Sequence, residues 1–241
     1  MIIIPAIDLK GGRCVRLVQG REDQETVYSH SPADVARRWH AAGAEMIHVV
    51  DLDGAFAGSP VNLDAVKAIA EAVDTPFEFG GGLRTDEAVD TILAAGAARA
   101  IIGTKAASSP EWIRQLCSRH PGRIAAGIDA RDGKVALQGW VETTELRAVD
   151  LARQMADAGV CAIIFTDISR DGMLAGPNAT ATAELARQVP VPVVASGGVS
   201  SLDDIRTLAR MGISAAIIGK ALYTGDIDLA EAIQAAKEST L

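Results

Sequence analysis

Two stretches of this chain repeat one design. Phe77 to Thr104 reads FEFGGGLRTDEAVDTILAAGAARAIIGT, and Val193 to Lys220 reads VVASGGVSSLDDIRTLARMGISAAIIGK. A constant offset of 116 residues carries Gly81 onto Gly197, Gly82 onto Gly198, Gly96 onto Gly212 and Gly103 onto Gly219 without a gap. It also carries Asp51 onto Asp167, Asn62 onto Asn178 and Pro76 onto Pro192. Nearer the start the offset is 121, and Ile7-Asp8 falls on Ile128-Asp129. An internal repeat of this length decides fold before local propensity does. Each copy reads strand, glycine turn, helix, strand, glycine turn. In the first, Thr85 is an N-cap, Ala88, Val89, Ile92 and Leu93 mark one helix face, and Gly96 ends the helix.

Apolar runs and amphipathic segments alternate along the whole chain. Strands are expected at Ile2–Ile7, Met46–Val50, Phe77–Phe79, Ala100–Ile102, Ile124–Ile128, Ala162–Phe165, Val193–Ala195 and Ala215–Ile218. Helices are expected at Pro32–Ala42, Asn62–Ala72, Thr85–Ala95, Pro110–Arg119, Ala148–Ala158, Ala179–Gln188, Leu202–Arg210 and Asp228–Lys237. The strands are apolar throughout, as strands covered on both faces must be. Eight strand–helix units in two similar halves predict a closed (β/α)8 barrel, an α/β fold, over a doubly wound open sheet. At 241 residues the chain suits a single barrel domain over 1–241, with half-barrels of about 1–121 and 122–241. Lys10–Ser31 and Ala130–Arg147, after the first and fifth strands, read as the longest irregular stretches and as candidate lids.

Chemistry in this fold sits where strands end at the C-terminal face. Asp8 follows the first strand, Asp51 and Asp53 the second, and Gly80-Gly81-Gly82 with Arg84 the third. Gly103-Thr104 follows the fourth and Asp129 the fifth. Thr166, Asp167 and then Asp171 follow the sixth, Ser196-Gly197-Gly198 the seventh and Gly219-Lys220 the eighth. Glycine turns let backbone N–H groups approach an anion closely. Those after strands three and four make one phosphate cradle; those after seven and eight make another, at the position this fold most often uses. Two cradles across one mouth call for a small ligand with a phosphate at each end. Asp8 and Asp129 face each other between them and suit acid–base work on the ligand's middle. Thr166 can contact the ligand or orient a carboxylate, and Asp171 is either a turn residue or an acid. Asp51 and Asp53 read as structural. Trp140 flanks Asp129 in a polar loop and can stack on a flat ligand.

Other classes of function find no support in the residues. A net charge of −8 argues against nucleic acid as a partner. Cys14, Cys117 and Cys161 are odd in number and far apart, as in a reduced cytoplasmic protein. The start, MIIIPAID, lacks a basic region that would mark a signal peptide, and no apolar run is long enough for a membrane span. His30, His40, His48 and His120 show no metal-ligand spacing. No dinucleotide fingerprint or nucleophile elbow occurs, and no cofactor is expected.

The motifs IPAIDLKGG from Ile4, HVVDLDGA from His48, FGGGLR from Phe79, Gly139-Trp140, TDISRDG from Thr166 and ASGGV from Ala195 together carry a resemblance. Over nearly its whole length the chain resembles the phosphoribosylformimino-5-aminoimidazole carboxamide ribotide isomerases of histidine biosynthesis. The resemblance implies a monomeric or weakly associating cytosolic barrel without metal or organic cofactor. It implies an Amadori rearrangement of an aminoaldose to an aminoketose on a substrate with two ribose phosphates. It casts Asp8 as proton acceptor, Asp129 as proton donor and Thr166 as a supporting contact, with Asp171 an alternative acid. Gly81, Gly82, Arg84, Gly103, Thr104, Trp140, Ser196, Gly197, Gly198, Gly219 and Lys220 would bind the substrate, with Arg16 or Arg21 available to its anionic groups. Three alternatives stay open. The cyclase of imidazole glycerol phosphate synthesis usually opens Cys-Leu-Asp where this chain has Ala6-Ile7-Asp8. Phosphoribosylanthranilate isomerase activity is disfavoured by Val141-Glu142-Thr143 after Trp140, where bifunctional relatives tend to carry an arginine. A non-catalytic phosphate-sensing barrel would not need Asp8 and Asp129.

Overall fold

The computed structural model describes residues 1–18, 21–137, 140 and 142–239. Its strands are β1 Ile2–Lys10, β2 Arg13–Val18, β3 Arg21–Ser29, β4 Ile47–Asp51, β5 Phe77–Gly80, β6 Arg99–Ile102, β7 Ile124–Arg131, β8 Lys134–Leu137, β9 Glu142–Arg147, β10 Ile163–Asp167, β11 Val193–Ser196 and β12 Ala215–Ile218. Eight of them pair in parallel in the order β10-β11-β12-β1-β4-β5-β6-β7. Pairing of β10 with β7, Thr166 beside Asp129, closes the ring. This is the expected (β/α)8 barrel, and a helix follows each of the eight strands. These helices are Pro32–Ala41, Leu63–Ala72, Asp86–Ala94, Pro110–Arg119, Ala148–Ala158, Ala179–Ala186, Leu202–Arg210 and Leu229–Glu238.

The apolar strands bury two cores, because successive side chains point to opposite faces. One face packs on the helices, with Ile3, Ile7, Ile47, Phe79 and Ile128 among its members. The other fills the barrel with Ile4, Ala6, Ile101, Ala125, Ala162, Ile164, Val194, Ala215 and Ile217. At the mouth the inward alternation reaches Asp8, Val50, Gly80, Asp129, Thr166 and Ser196, with Gly103 and Gly219 just beyond β6 and β12. Period-two alternation thus sets six of these residues around one cavity.

The stretches read as irregular are mostly β-ribbon. β1, β2 and β3 form an antiparallel excursion, and so do β7, β8 and β9. Each begins with a two-residue turn whose residues both have positive φ: 55° and 72° at Gly11-Gly12, 51° and 76° at Asp132-Gly133. That backbone matches the right-handed strand twist, and it is why Gly-Gly and Asp-Gly close tight hairpins. Three short helices, Leu52–Ala57, Thr104–Ser108 and Lys220–Thr224, also follow barrel strands at the mouth. At five or six residues they are too short to show a helical period.

Candidate active site

The mouth encloses a cavity of about 710 Å³. The lining includes Asp8, Asp129, Asp171, Thr166, Gly81, Gly82, Arg84, Gly103, Thr104, Trp140, Ser196, Gly197, Gly198, Gly219 and Lys220. All the residues singled out from the sequence as the site therefore come together here.

Asp8 ends the inner face of β1 and is buried. It is ion-paired with Arg16, which β2 folds back over the mouth. The Arg16 guanidinium lies against Gly219, where any Cβ would overlap it. Its Nε is buried and has no hydrogen-bond partner among the described residues. One cation thus joins the first carboxylate to the rim formed by β12. The Arg21 side chain and the residues Gly139 and Val141 lie outside the described residues.

Asp129 sits opposite on β7. Trp140 donates its indole N–H to Asp129 Oδ2 at 2.8 Å, and the Thr166 hydroxyl also hydrogen-bonds this carboxylate. Trp140 reaches it from a left-handed backbone, φ 74°, which an aromatic residue rarely adopts. Burial raises the Asp129 pKa above the usual carboxylate range; the Trp140 and Thr166 hydrogen bonds and the nearby His48 oppose the rise. Asp171, in the loop after β10, is pushed up to about 6 by burial. Arg16 pulls it down, whereas Asp8 and Asp129 add to the rise as like charges. Three carboxyl groups therefore share one electrostatic site, and two of them are held toward the protonated form.

The glycine rims have a second reason to be bare. A Cβ on Gly81 would overlap the Asp51 carbonyl, and one on Gly82 would lie 2.7 Å from the Gly54 oxygen. On Gly198 it would lie 2.5 Å from the Gly176 oxygen. These turns nest on the backbone of the preceding loop as well as facing the cavity. Gly103 differs, since a Cβ there would meet nothing within 4 Å. Arg84 donates to the Ala55 carbonyl at 2.8 Å and so braces the short helix after β4. Lys220 reaches the Gly172 carbonyl at 3.0 Å and ties the Asp171 loop to the end of β12.

Asp51 and Asp53 are structural, as read. Asp51 is fully buried and accepts from the N–H groups of Gly54, Val61 and Asn62 and from the Asn62 amide. Asp53 accepts from Gly11 N–H at 2.7 Å, and Asn62 from Gly12 N–H at 2.8 Å. Together they pin the turn that leads into β2 and Arg16.

Reasoning from sequence passed over His48, Glu78 and Arg99. His48 lines the cavity, and its Nδ1 lies 2.7 Å from Glu78 Oε1. Arg99 donates to Glu78 Oε2 from Nε at 2.8 Å and again from a terminal nitrogen. Glu78 is fully buried, yet His48 and Arg99 hold its pKa below the usual range against the effect of burial. The available signal was a lone acid in an apolar strand, Phe77-Glu78-Phe79, whose repeat partner is Val194.

Fold and site define the class: a (β/α)8 barrel enzyme whose mouth sets several carboxyl groups between two glycine-lined rims. Within that class, the chain belongs to the histidine biosynthesis protein family, whose model matches residues 2–228. A relative from Picosynechococcus sp. is 56% identical over 238 residues, covering 98% of this chain and 93% of the relative. One from Trichlorobacter lovleyi is 54% identical over 240 residues, 98% of each chain. One from Rhodospirillum rubrum is 56% identical over 236 residues, 97% of this chain and 98% of the relative. All three are named 1-(5-phosphoribosyl)-5-((5-phosphoribosylamino)methylideneamino)imidazole-4-carboxamide isomerase.

Proposed function

We infer that the chain is the aldose–ketose isomerase of histidine biosynthesis, acting on the bis-phosphorylated ribotide for which its relatives are named. The observation that carries this reading is the convergence of Asp8, Asp129 and Asp171 on one cavity between two glycine rims. A phosphate at each rim would fix the ligand, and the carboxyl groups would work on its middle. Opening the furanose needs a proton at the ring oxygen. The resulting Schiff base must then lose its C2′ proton, and the enolamine tautomerises to the ketose.

In this proposal Asp8 takes the C2′ proton and Asp171 delivers the ring-opening proton. What supports Asp171 as the acid is its position near 6, close to where a general acid works best. Asp129 is likewise held toward the protonated form, but it already accepts hydrogen bonds from Trp140 and Thr166, which suits a group that orients its neighbours. Gly81, Gly82, Arg84, Gly103 and Thr104 would serve one phosphate, and Ser196, Gly197, Gly198, Gly219 and Lys220 the other. Trp140 would leave Asp129 to stack on the imidazole.

The chain would work as one domain over 1–241, its halves meeting near 121–122, as a monomer in the cytoplasm. Among the described residues, no helix is long and apolar enough to cross a membrane, and no three His, Cys, Asp or Glu side chains are grouped to hold a metal.

The test is turnover of the purified ribotide, followed by NMR, with chelator present and no cofactor added. Formation of the aminoketose is the expected result. Tight binding without turnover would point to a phosphate sensor, and efficient turnover of phosphoribosylanthranilate would point to a second substrate.

A further inference from the structure

The isomerisation as proposed gives no task to the chain His48–Glu78–Arg99. These residues lie side by side inside the barrel, His48 opposite Glu78 and Glu78 opposite Arg99 in the strand register. The offset that relates the two halves carries them onto Ile164, Val194 and Ala215. Those three are paired in the same way, Ile164 with Val194 and Val194 with Ala215. All three belong to the apolar barrel interior. The same places in one barrel are therefore filled by an ionic chain in one half and by hydrocarbon in the other.

This is an internal control on what the fold requires. The second half closes its part of the ring with no charge at those positions. Burying a carboxylate and a guanidinium is costly, and apolar replacements of a buried ion pair are often neutral or stabilising. Packing alone does not account for the first half's choice.

The mouth keeps a partial two-fold, broken also at Thr166 and Asp171, whose counterparts are Val50 and Ala55. Asp8 matches Asp129, and each glycine rim matches the other. A ligand with a phosphoribosyl group at each end fits such a cavity either way round, and only one way places the reacting sugar beside the right carboxyl groups. His48 breaks this symmetry where the ligand's middle would lie, since its counterpart is Ile164. Glu78 holds the ring by Nδ1, which leaves Nε2 as the polar atom free to meet the ligand.

We propose that the His48–Glu78–Arg99 chain makes the cavity one-way: His48 Nε2 takes a hydroxyl or amide group of the ligand's central portion in the productive direction only. Glu78 and Arg99 are positioning residues that act through the ring. The proposal rests on the isomerase reading above.

The decisive variant gives the first half the residues of the second: H48I, E78V and R99A together. Its fold should survive, with a Tm at or above that of the wild type. Losing a tenfold preference should cut kcat/KM about tenfold, with Kd weakened about fivefold and kcat about halved, because unproductive binding then takes half of the bound ligand. E78Q, which keeps the ring but loosens its hold, should show the same split with a smaller fall in kcat/KM. Three outcomes overturn the proposal: a triple variant with wild-type kcat/KM, one that raises KM with kcat intact, or one that fails to fold. Wild-type enzyme is assayed alongside. If it does not isomerise the ribotide, the isomerase reading fails; if it does and the triple variant matches it, only the one-way proposal fails.

Discussion

Burial lifts the Asp171 carboxyl to about 6, and as the proposed acid this one residue would link stability to activity. A carboxyl whose native pKa is raised binds its proton more tightly when folded. The stability it lends is present below its ordinary value of 3.8 and is lost as pH rises through about 6. D171N carries no charge to bury. Its Tm should therefore exceed that of the wild type at pH 8, and the gap should close below about pH 4. Activity should move the other way. In the wild type, kcat should fall as pH rises through the titration of Asp171, because the acid form is consumed. In D171N that limb should vanish along with most of the rate, about 10²–10⁴-fold for a positioned acid. A pH series of thermal melts and initial rates on both proteins measures the two effects. If D171N melts below the wild type at pH 8, the carboxyl is not strained by burial as described. In the proposed role such a residue would be costly in place and useful in function, a common trade at active sites.

At the level of elements, the glycine turns carry two duties that sequence alone merged. Bare glycines after a barrel strand read as room for phosphate. Around Gly81 that room is taken by the Asp51 backbone, and its φ is 108°. G81A should cost about 3 kcal/mol from overlap and the left-handed backbone together, a Tm loss of roughly 6–12 °C for a chain this long. Gly12 has φ 72° but nothing within 4 Å of an added Cβ, so G12A should cost only about 1 kcal/mol. Thermal melts of the two variants check the contrast, and equal losses would show that only φ matters at Gly81. The same distinction explains what was legible beforehand. Eight apolar strands, their helices and the offset between halves were readable because each signal is periodic or repeated. The ribbons β2–β3 and β8–β9 were missed although Gly11-Gly12 and Asp132-Gly133 announced their turns, because β3 and β9 are mainly polar and the apolar residues that β2 and β8 bury, such as Val15, Leu17 and Val135, form runs too short to set a period. Asp8 and Asp129 could be placed near strand ends by counting, and Asp171 in the loop after the sixth strand. That Arg16 would pair with Asp8, or that Trp140 would bond Asp129, depends on side chains meeting across elements, and no spacing encodes that.

The whole molecule is a ring with a seam, and the seam's place is arbitrary in a way that can be tested. At the seam the first strand, β1, meets the last, β12, and Ile2 N–H donates to the Ser214 carbonyl at 3.0 Å. The offset of 121 carries Met1 onto Gly122, at the matching seam where β6 meets β7. Pro121 and Gly122 are exposed there. A permuted chain that begins at Gly122, with its old ends joined by a flexible linker, should pair all eight barrel strands. One described backbone hydrogen bond spans the cut, from Arg123 N–H to the His120 carbonyl at 3.1 Å. Arg123 stays anchored through its side chain, which donates to the carbonyls of Ala97 and Ala98. The lost bond is worth about 0.5–1.5 kcal/mol net, or a Tm lower by roughly 1–6 °C. Every carboxyl and both rims keep their strands and loops, and the cut lies at the end of the barrel opposite the mouth. Turnover should therefore remain within about threefold of the native chain. A soluble, folded permutant without activity would mean that the site depends on chain order as well as on the closed ring. A permutant that cannot fold would mean that the two halves are not interchangeable units of one barrel.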